Sequence, residues 1–370
     1  MEMEKENISS LQLFYLFIGF EFGTTIILGV GEGARQDEWL VLLISTLCGL
    51  ILMGIYILLA ALYPNQTFVQ MLQVSLGKFL GYPIIVIYII YFIYIAGRVC
   101  RDFGELMVTT ILVETPIVVI IGSFMVLMIY CLRGGIETFG RMGEAVFPLF
   151  MFSLGIIWIL LLTVKSFNIS NLTPILGNGL KPVLTEVFPS VTMFPFGETV
   201  TIMMFFPFLN KKKNAGKAGF AVILIGGILL TINSVLILSV LGPEIIQEAQ
   251  FPLLSATRLV SIADFLERFD AIIILMMVAG VFFKVGIYTY SAALGLSQLI
   301  KVNTMKSILL GLGTIITPLS LLIGNNLVSF LEFGLGFFNN KVQPIMQLLI
   351  PLLLLCIGFI RKKFLTSKNN

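Results

Sequence analysis

Residues 20–25 read FEFGTT and residues 194–199 read FPFGET, two distant hexamers that agree at four of six positions. Both fall inside long apolar stretches, and both carry helix breakers: Gly23 in one, Pro195 and Gly197 in the other. Proline removes a backbone donor, and glycine raises the cost of helical backbone. A helix interrupted in apolar surroundings exposes main-chain groups that persist only where protein, ligand or water satisfies them. The reading of this pair therefore bears on both the fold and the site.

The rest of the chain sets the environment. Of 370 residues, 58% are hydrophobic and 12% charged, with a mean hydropathy of +1.03. That is too little charge to keep a soluble domain of this size dispersed. Apolar runs of about 20 residues, the length that crosses a hydrocarbon core, recur throughout. They are continuous, whereas a membrane β-barrel would alternate. The expectation is an all-α polytopic membrane protein with one transmembrane domain over 1–370. Its ten spans fall near 11–31, 38–62, 82–108, 116–132, 144–164, 183–209, 218–241, 268–299, 305–324 and 343–360. Spans three, six and eight are over-long, which implies tilt or interruption. The acidic start, MEMEKENISS, lacks the basic segment of a cleaved leader, so the first span is expected to be retained.

With the N-terminus inside, Lys5, Lys78, Arg133, Arg141, Lys211–Lys213, Lys217, Lys301, Lys306, Arg361–Lys363 and Lys368 fall on the cytoplasmic side. The opposite face holds Arg35, Lys165, Lys181, Arg258, Arg268 and Lys341. The bias satisfies the positive-inside rule and places both termini in the cytoplasm. Because basic residues sort by membrane side, the net charge of +3 gives no indication of a nucleic-acid partner.

The first hexamer lies in span one and the second in span six. Equivalent points five spans apart run in opposite directions through the bilayer. This is the signature of a five-plus-five inverted repeat with broken helices one and six, whose breaks mark a mid-membrane binding site. The repeats are expected at about 11–164 and 183–360.

Seven ionisable residues fall within spans: Glu21, Arg98, Arg101, Asp102, Glu105, Glu198 and Lys284. Each costs about 2.5–3.5 kcal/mol at a helix centre on insertion scales, so they are expected to face the interior in pairs. Arg98 with Asp102 and Arg101 with Glu105 are spaced i,i+4, which fits intrahelical ion pairs. With Tyr94 and Gly97 the same face is placed to line a ligand cavity, and the two readings are compatible. Glu198 follows the break in span six, where it either complements the helix dipole or receives a proton or a ligand's cationic group. Lys284, in VFFKVGIY, lies at a depth similar to Glu21. Its ammonium is expected to fill a cation site beside span one and to pair with Glu21 or with carbonyls ending the first half-helix, which makes sodium unnecessary.

Other motifs are bland. GVGEGA at 29–34 lacks the spacing and the preceding strand of a nucleotide loop, and reads as loosened helix after the first break. NKKKNAGK at 210–217 reads as a basic hairpin facing lipid headgroups. QTFVQMLQVSLGKF at 66–79 reads as an amphipathic surface helix. FNIS and NLT near 168–173 match a glycosylation pattern that is common by chance. With no histidine, and four cysteines without CxxC spacing, the chain offers no metal-ligand set, and nothing calls for a cofactor. No catalytic dyad is present, so an enzyme is not expected.

FGTTI with the downstream ARQDEW, ETPIVVI at 114–120, FPFGET running into FFPFLNK, and FLERFDA at 265–271 followed by FFKVGIY together form a specific pattern. Over almost its whole length the chain resembles the B subunits of spore germinant receptors, the endospore germination permeases of the amino acid–polyamine–organocation superfamily. The resemblance implies a ten-helix five-plus-five fold, residence in the spore inner membrane, and recognition of a small nutrient, usually an amino acid. It also implies two partners, a larger A-type membrane subunit and a C-type lipoprotein. Onto this chain it carries the binding positions Gly23, Thr24, Thr25, Phe196, Gly197 and Glu198, with Phe194 beside them. The chain departs from the pattern in span one, where Thr25 replaces a second glycine and the usual following proline is missing. The same site would serve a proton-coupled amino-acid transporter, the rival reading.

Overall fold

The structure, a computed structural model, describes residues 7–260, 270–302, 304–323 and 332–367. Most of FLERFDA, with Arg268, and the terminal Lys5 and Lys368 lie outside the described residues. Helices account for the architecture: α1 (Ser10–Phe22), α2 (Thr25–Leu28), α3 (Glu38–Leu62), α4 (Phe68–Thr110), α5 (Ile117–Leu132), α6 (Gly135–Leu162), α7 (Leu180–Thr185), α8 (Ala215–Glu248), α9 (Pro252–Thr257), α10 (Asp270–Ile300), α11 (Met305–Leu322) and α12 (Ile350–Ser367). Among the described residues, seven helices are long and apolar enough to cross a membrane. They correspond to expected spans two, three, five, seven, eight, nine and ten. Span four is the shorter α5, and spans one and six are interrupted.

Each interruption has a local cause. Helix α1 starts on a reciprocal cap, in which the Gln12 amide donates to Ser9 Oγ and the Ser9 amide to Gln12 Oε1. It stops at Gly23, whose φ of 12° and ψ of −111° are not helical. Helix α2 then lasts one turn before Gly29 and Gly31 adopt φ of 74° and 87°, a conformation that favours glycine. GVGEGA is thus the unwound end of span one. In span six, Phe188 is extended before Pro189, as the residue ahead of a proline prefers. A second turn at Phe194–Pro195 leads into a 3₁₀ helix, Phe196–Met204, where the sequence suggested an α half-helix. The tighter 3₁₀ winding is a structural correction. Helix α4 is interrupted at Gly77 (φ 70°), so residues 68–76 form the separate amphipathic arm expected there. That arm folds back so closely that a Cβ on Gly81 would lie 3.3 Å from the Gln73 Cα.

Helix α10 is the hub. In its apolar window 72% of residues are buried, against 28% in α6 and α11. It packs along α4 and against α1, while α1 also contacts α6 and α8, and α3 packs on α8. On the outside, Val126, Ile51 and Phe152 are about two-thirds exposed, an apolar surface suited to lipid. Small residues set the α3–α8 distance, as in membrane helix pairs generally. A Cβ on Gly227 would lie 2.1 Å from Thr46 Oγ1, whose hydroxyl already donates to the Leu42 carbonyl at 2.7 Å. Gly227→Ala is therefore expected to lower stability in detergent by about 1–3 kcal/mol through overpacking. Gly54→Ala, with nothing within 4 Å of the added carbon, should leave the melting temperature unchanged or raised.

Candidate functional site

The two breaks meet at α10. Gly280 has its Cα so close to the first break that an added Cβ would lie 2.9 Å from the Gly23 Cα and carbonyl oxygen. One turn further along α10, Lys284 lays its alkyl stem over Gly23, where a Cβ would lie 2.6 Å from Lys284 Cδ. The ammonium crosses to the second break and pairs with Glu198 Oε2 at 2.6 Å. It also sits 4.3 Å above the Phe194 ring and 5.5 Å from that of Phe20, both within cation–π range. Lys284 is 0% and Glu198 2% exposed, so the pair is desolvated.

The expected partner of Lys284 was Glu21 or the carbonyls ending α1; the structure pairs it with Glu198. The reason is directional. Glu198 occupies the first turn of the 3₁₀ helix and faces α10, whereas Glu21 lies against α8, its Cγ 3.7 Å from the Cβ position of Gly226. Glu21 is fully buried, and neither of its carboxylate oxygens has a hydrogen-bond partner among the described residues. The same holds for the Thr24 and Thr25 hydroxyls at the first break.

The second break is braced from elsewhere. Tyr56 on α3 donates to the Gln347 carbonyl at 2.6 Å and lies 3.2 Å from that of Gly197. Gln347 Nε2 donates to the Tyr91 hydroxyl at 2.8 Å, and Gln343 Nε2 lies 3.5 Å from Glu198 Oε1. Gly197 must lack a side chain, because a Cβ there would be 2.2 Å from Gln347 Oε1. Phe196 packs on α3, where Gly49 makes room for it.

Of the residues on α4, Arg101 and Glu105 form the expected ion pair at 2.6 Å, partly exposed. Arg98 and Asp102 are both buried. Gly97 packs against Leu319 and Ile323 at the end of α11, which is a structural role. Tyr94 packs against Phe338 in a tilted arrangement, with ring centroids 4.5 Å apart. Two cavities lie away from the breaks. One, about 210 Å³, is lined by Thr109, Gln250 and Arg258 among others; the second, about 280 Å³, is apolar and lies between α5, α6 and α10.

Tyr56, Tyr91, Gln343 and Gln347 were not anticipated. Gln343 and Gln347 stand four apart at the start of the tenth expected span, where nothing marked them as site residues. In the structure, residues Glu332–Val342 and Ile345–Leu349 are wound as π-helix, with Gln343 between the two segments and Gln347 in the second, and both glutamines are buried.

Comparison with known proteins places this geometry. The family model described as spore germination protein matches residues 7–327. The chain belongs to the spore germination protein family. It is 36% identical to spore germination protein KB of Bacillus subtilis (strain 168) over 98% of this chain and 97% of that one. Spore germination protein YndE of the same organism is 28% identical over 88% of each. Among solved structures, MhsT in complex with L-phenylalanine superposes with a TM-score of 0.64, covering 96% of this chain and 99% of that one at 14% identity. The likeness shows the fold, that of a polytopic helical membrane protein, and this member of the family is an integral membrane protein.

The buried pair generates a stability prediction. Removing one partner of a buried ion pair leaves an uncompensated charge and typically costs about 3–5 kcal/mol, whereas replacing both with neutral groups of similar volume is far milder. Lys284→Met and Glu198→Gln are each expected to lower the melting temperature of the purified protein sharply. The double variant should recover most of the loss.

Proposed function

We propose that this chain is the nutrient-sensing subunit of a spore germinant receptor and that it binds a small amino acid between the two helix breaks. The observation that carries the reading is the set of buried polar groups gathered at those breaks: the Glu198–Lys284 pair, with Glu21, Thr24 and Thr25 lacking partners among the described residues. Desolvated polar groups are costly unless something satisfies them. A zwitterion suits both ends of the set. Its carboxylate would take the amides of Phe196 and Gly197 that begin the 3₁₀ helix, where a helix start favours an anion. Its ammonium would take Glu198, whose carboxylate has room for more acceptor contacts than Lys284 and Gln343 use, with Glu21 as the second carboxylate. MhsT, with the same fold, was solved with an amino acid bound, which supports this class of ligand.

In this reading the halves near 11–164 and 183–360 are inverted repeats, both termini face the cytoplasm, and the chain resides in the spore inner membrane. It is a binding protein and not an enzyme. Ligand binding favours one arrangement of the breaks by its differential affinity, and an A-type membrane subunit and a C-type lipoprotein read the change. Lys284 acts as the resident cation of the site.

The test uses the double variant Glu198→Gln/Lys284→Met, which isolates function from stability. It is expected to fold, to lose binding of labelled amino acids, and to fail to restore germination to spores lacking the native chain. Unchanged binding would overturn the assignment of Glu198. In proteoliposomes the wild-type chain should bind an amino acid without accumulating it; concentrative flux driven by a proton gradient would instead establish a transporter. Replacing sodium with choline should leave binding unchanged, and strict sodium dependence would remove Lys284 from its role.

A further inference from the structure

The 332–349 segment carries Asn339, Gln343 and Gln347 at four-residue intervals, which places them along one face of the helix. They are 2%, 0% and 0% exposed. Each has a side-chain carbonyl oxygen with no hydrogen-bond partner among the described residues. The two glutamines are tethered by their other ends. Gln343 presents Nε2 to the Glu198 carboxylate, which can only accept, and Gln347 donates Nε2 to Tyr91. Their donor ends are each engaged by the protein once, and their acceptor ends are presented. Gln347 Oε1 stands over Gly197 at the second break, where the facing Cα–H is at best a weak donor. Asn339 and Gln347 lie on π-wound turns, a winding that is rare and tends to occur at functional sites.

We infer that this amide face is the specificity wall of the site and that it selects amino acids whose side chains carry N–H or O–H donors. The inference rests on the amino-acid reading above and adds the substrate class to it. The ligand's own ammonium is not what the amides read, because the Glu198 carboxylate binds a cation more strongly than neutral carbonyls do. What remains to meet the amides is the side chain. An aliphatic side chain would leave the buried oxygens unpaired, and a carboxylate would set acceptor against acceptor. A carboxamide or hydroxyl would satisfy them. Sites built to hydrogen-bond a ligand group reject analogues that lack it far more strongly than apolar pockets reject a size change.

The test needs no variant at first. Titration of the purified full-length chain in nanodiscs with L-glutamine, L-asparagine, L-serine, L-leucine, L-valine and L-glutamate ranks the six ligands directly. The inference expects a donor-bearing ligand to bind at least about tenfold more tightly than the aliphatic ones, with L-glutamate weakest. Gln347→Met and Gln343→Met, which keep side-chain length, should each bring the ratio of donor-bearing to aliphatic affinity close to one, whatever they do to affinity as a whole. If amino acids bind without regard to side-chain donors, or the methionine variants keep the ranking, the amide face is structural or water-filled and the inference falls while the amino-acid reading stands. If none of the six binds, the amino-acid reading itself fails and takes the inference with it.

Discussion

The structure depends on one desolvated ion pair. Lys284 and Glu198 sit on different elements, far apart in sequence, and meet where neither reaches solvent. Two charges held out of water repay their desolvation only when geometry is close and the remaining lone pairs are served. That requirement constrains everything around it. Helix α10 must approach the first break closely enough for Gly280 and Gly23 to touch main chain to main chain. The second break must turn at Pro195 so that Glu198 faces α10. Phe194 and Phe20 must offer their ring faces to the ammonium. The glycines at 23, 197 and 280 are there because side chains would fill space the pair and its supports already occupy.

The pair also explains how irregular backbone is tolerated in an apolar interior. Main-chain groups freed by a break need partners. At the second break they find Tyr56 from α3, which ties the Gly197 and Gln347 carbonyls together. The last span takes part through its π-wound start, so three irregular segments converge instead of two. Convergence of distorted backbone with buried polar side chains concentrates stored cost in one place. Such a place is suited to an equilibrium that a small ligand can bias.

A large part of this was readable from the residues. Continuous apolar runs specify membrane-crossing helices because the bilayer admits little else. Gly23, Pro195 and Gly197 mark the breaks because their effect on backbone is local. Glu21, Arg98, Asp102, Glu198 and Lys284 stood out as interior residues because charge in lipid has no other refuge. The i,i+4 pair Arg101–Glu105 followed from helix geometry alone. The amide residues were not visible in the same way. Neutral Gln343 and Gln347 carry little insertion penalty, so nothing set them apart from the rest of the tenth span.

By itself, then, the sequence determined which segments are apolar, where they break and which charges must be hidden, since each of these follows from the chemistry of neighbouring residues. Only tertiary structure decided who pairs with whom: Lys284 with Glu198 and not Glu21, Tyr56 with Gly197, Gln347 over the second break. Those choices depend on the rotation of each helix about its axis. Rotation is set by packing against every neighbour at once, a property no single stretch of residues contains.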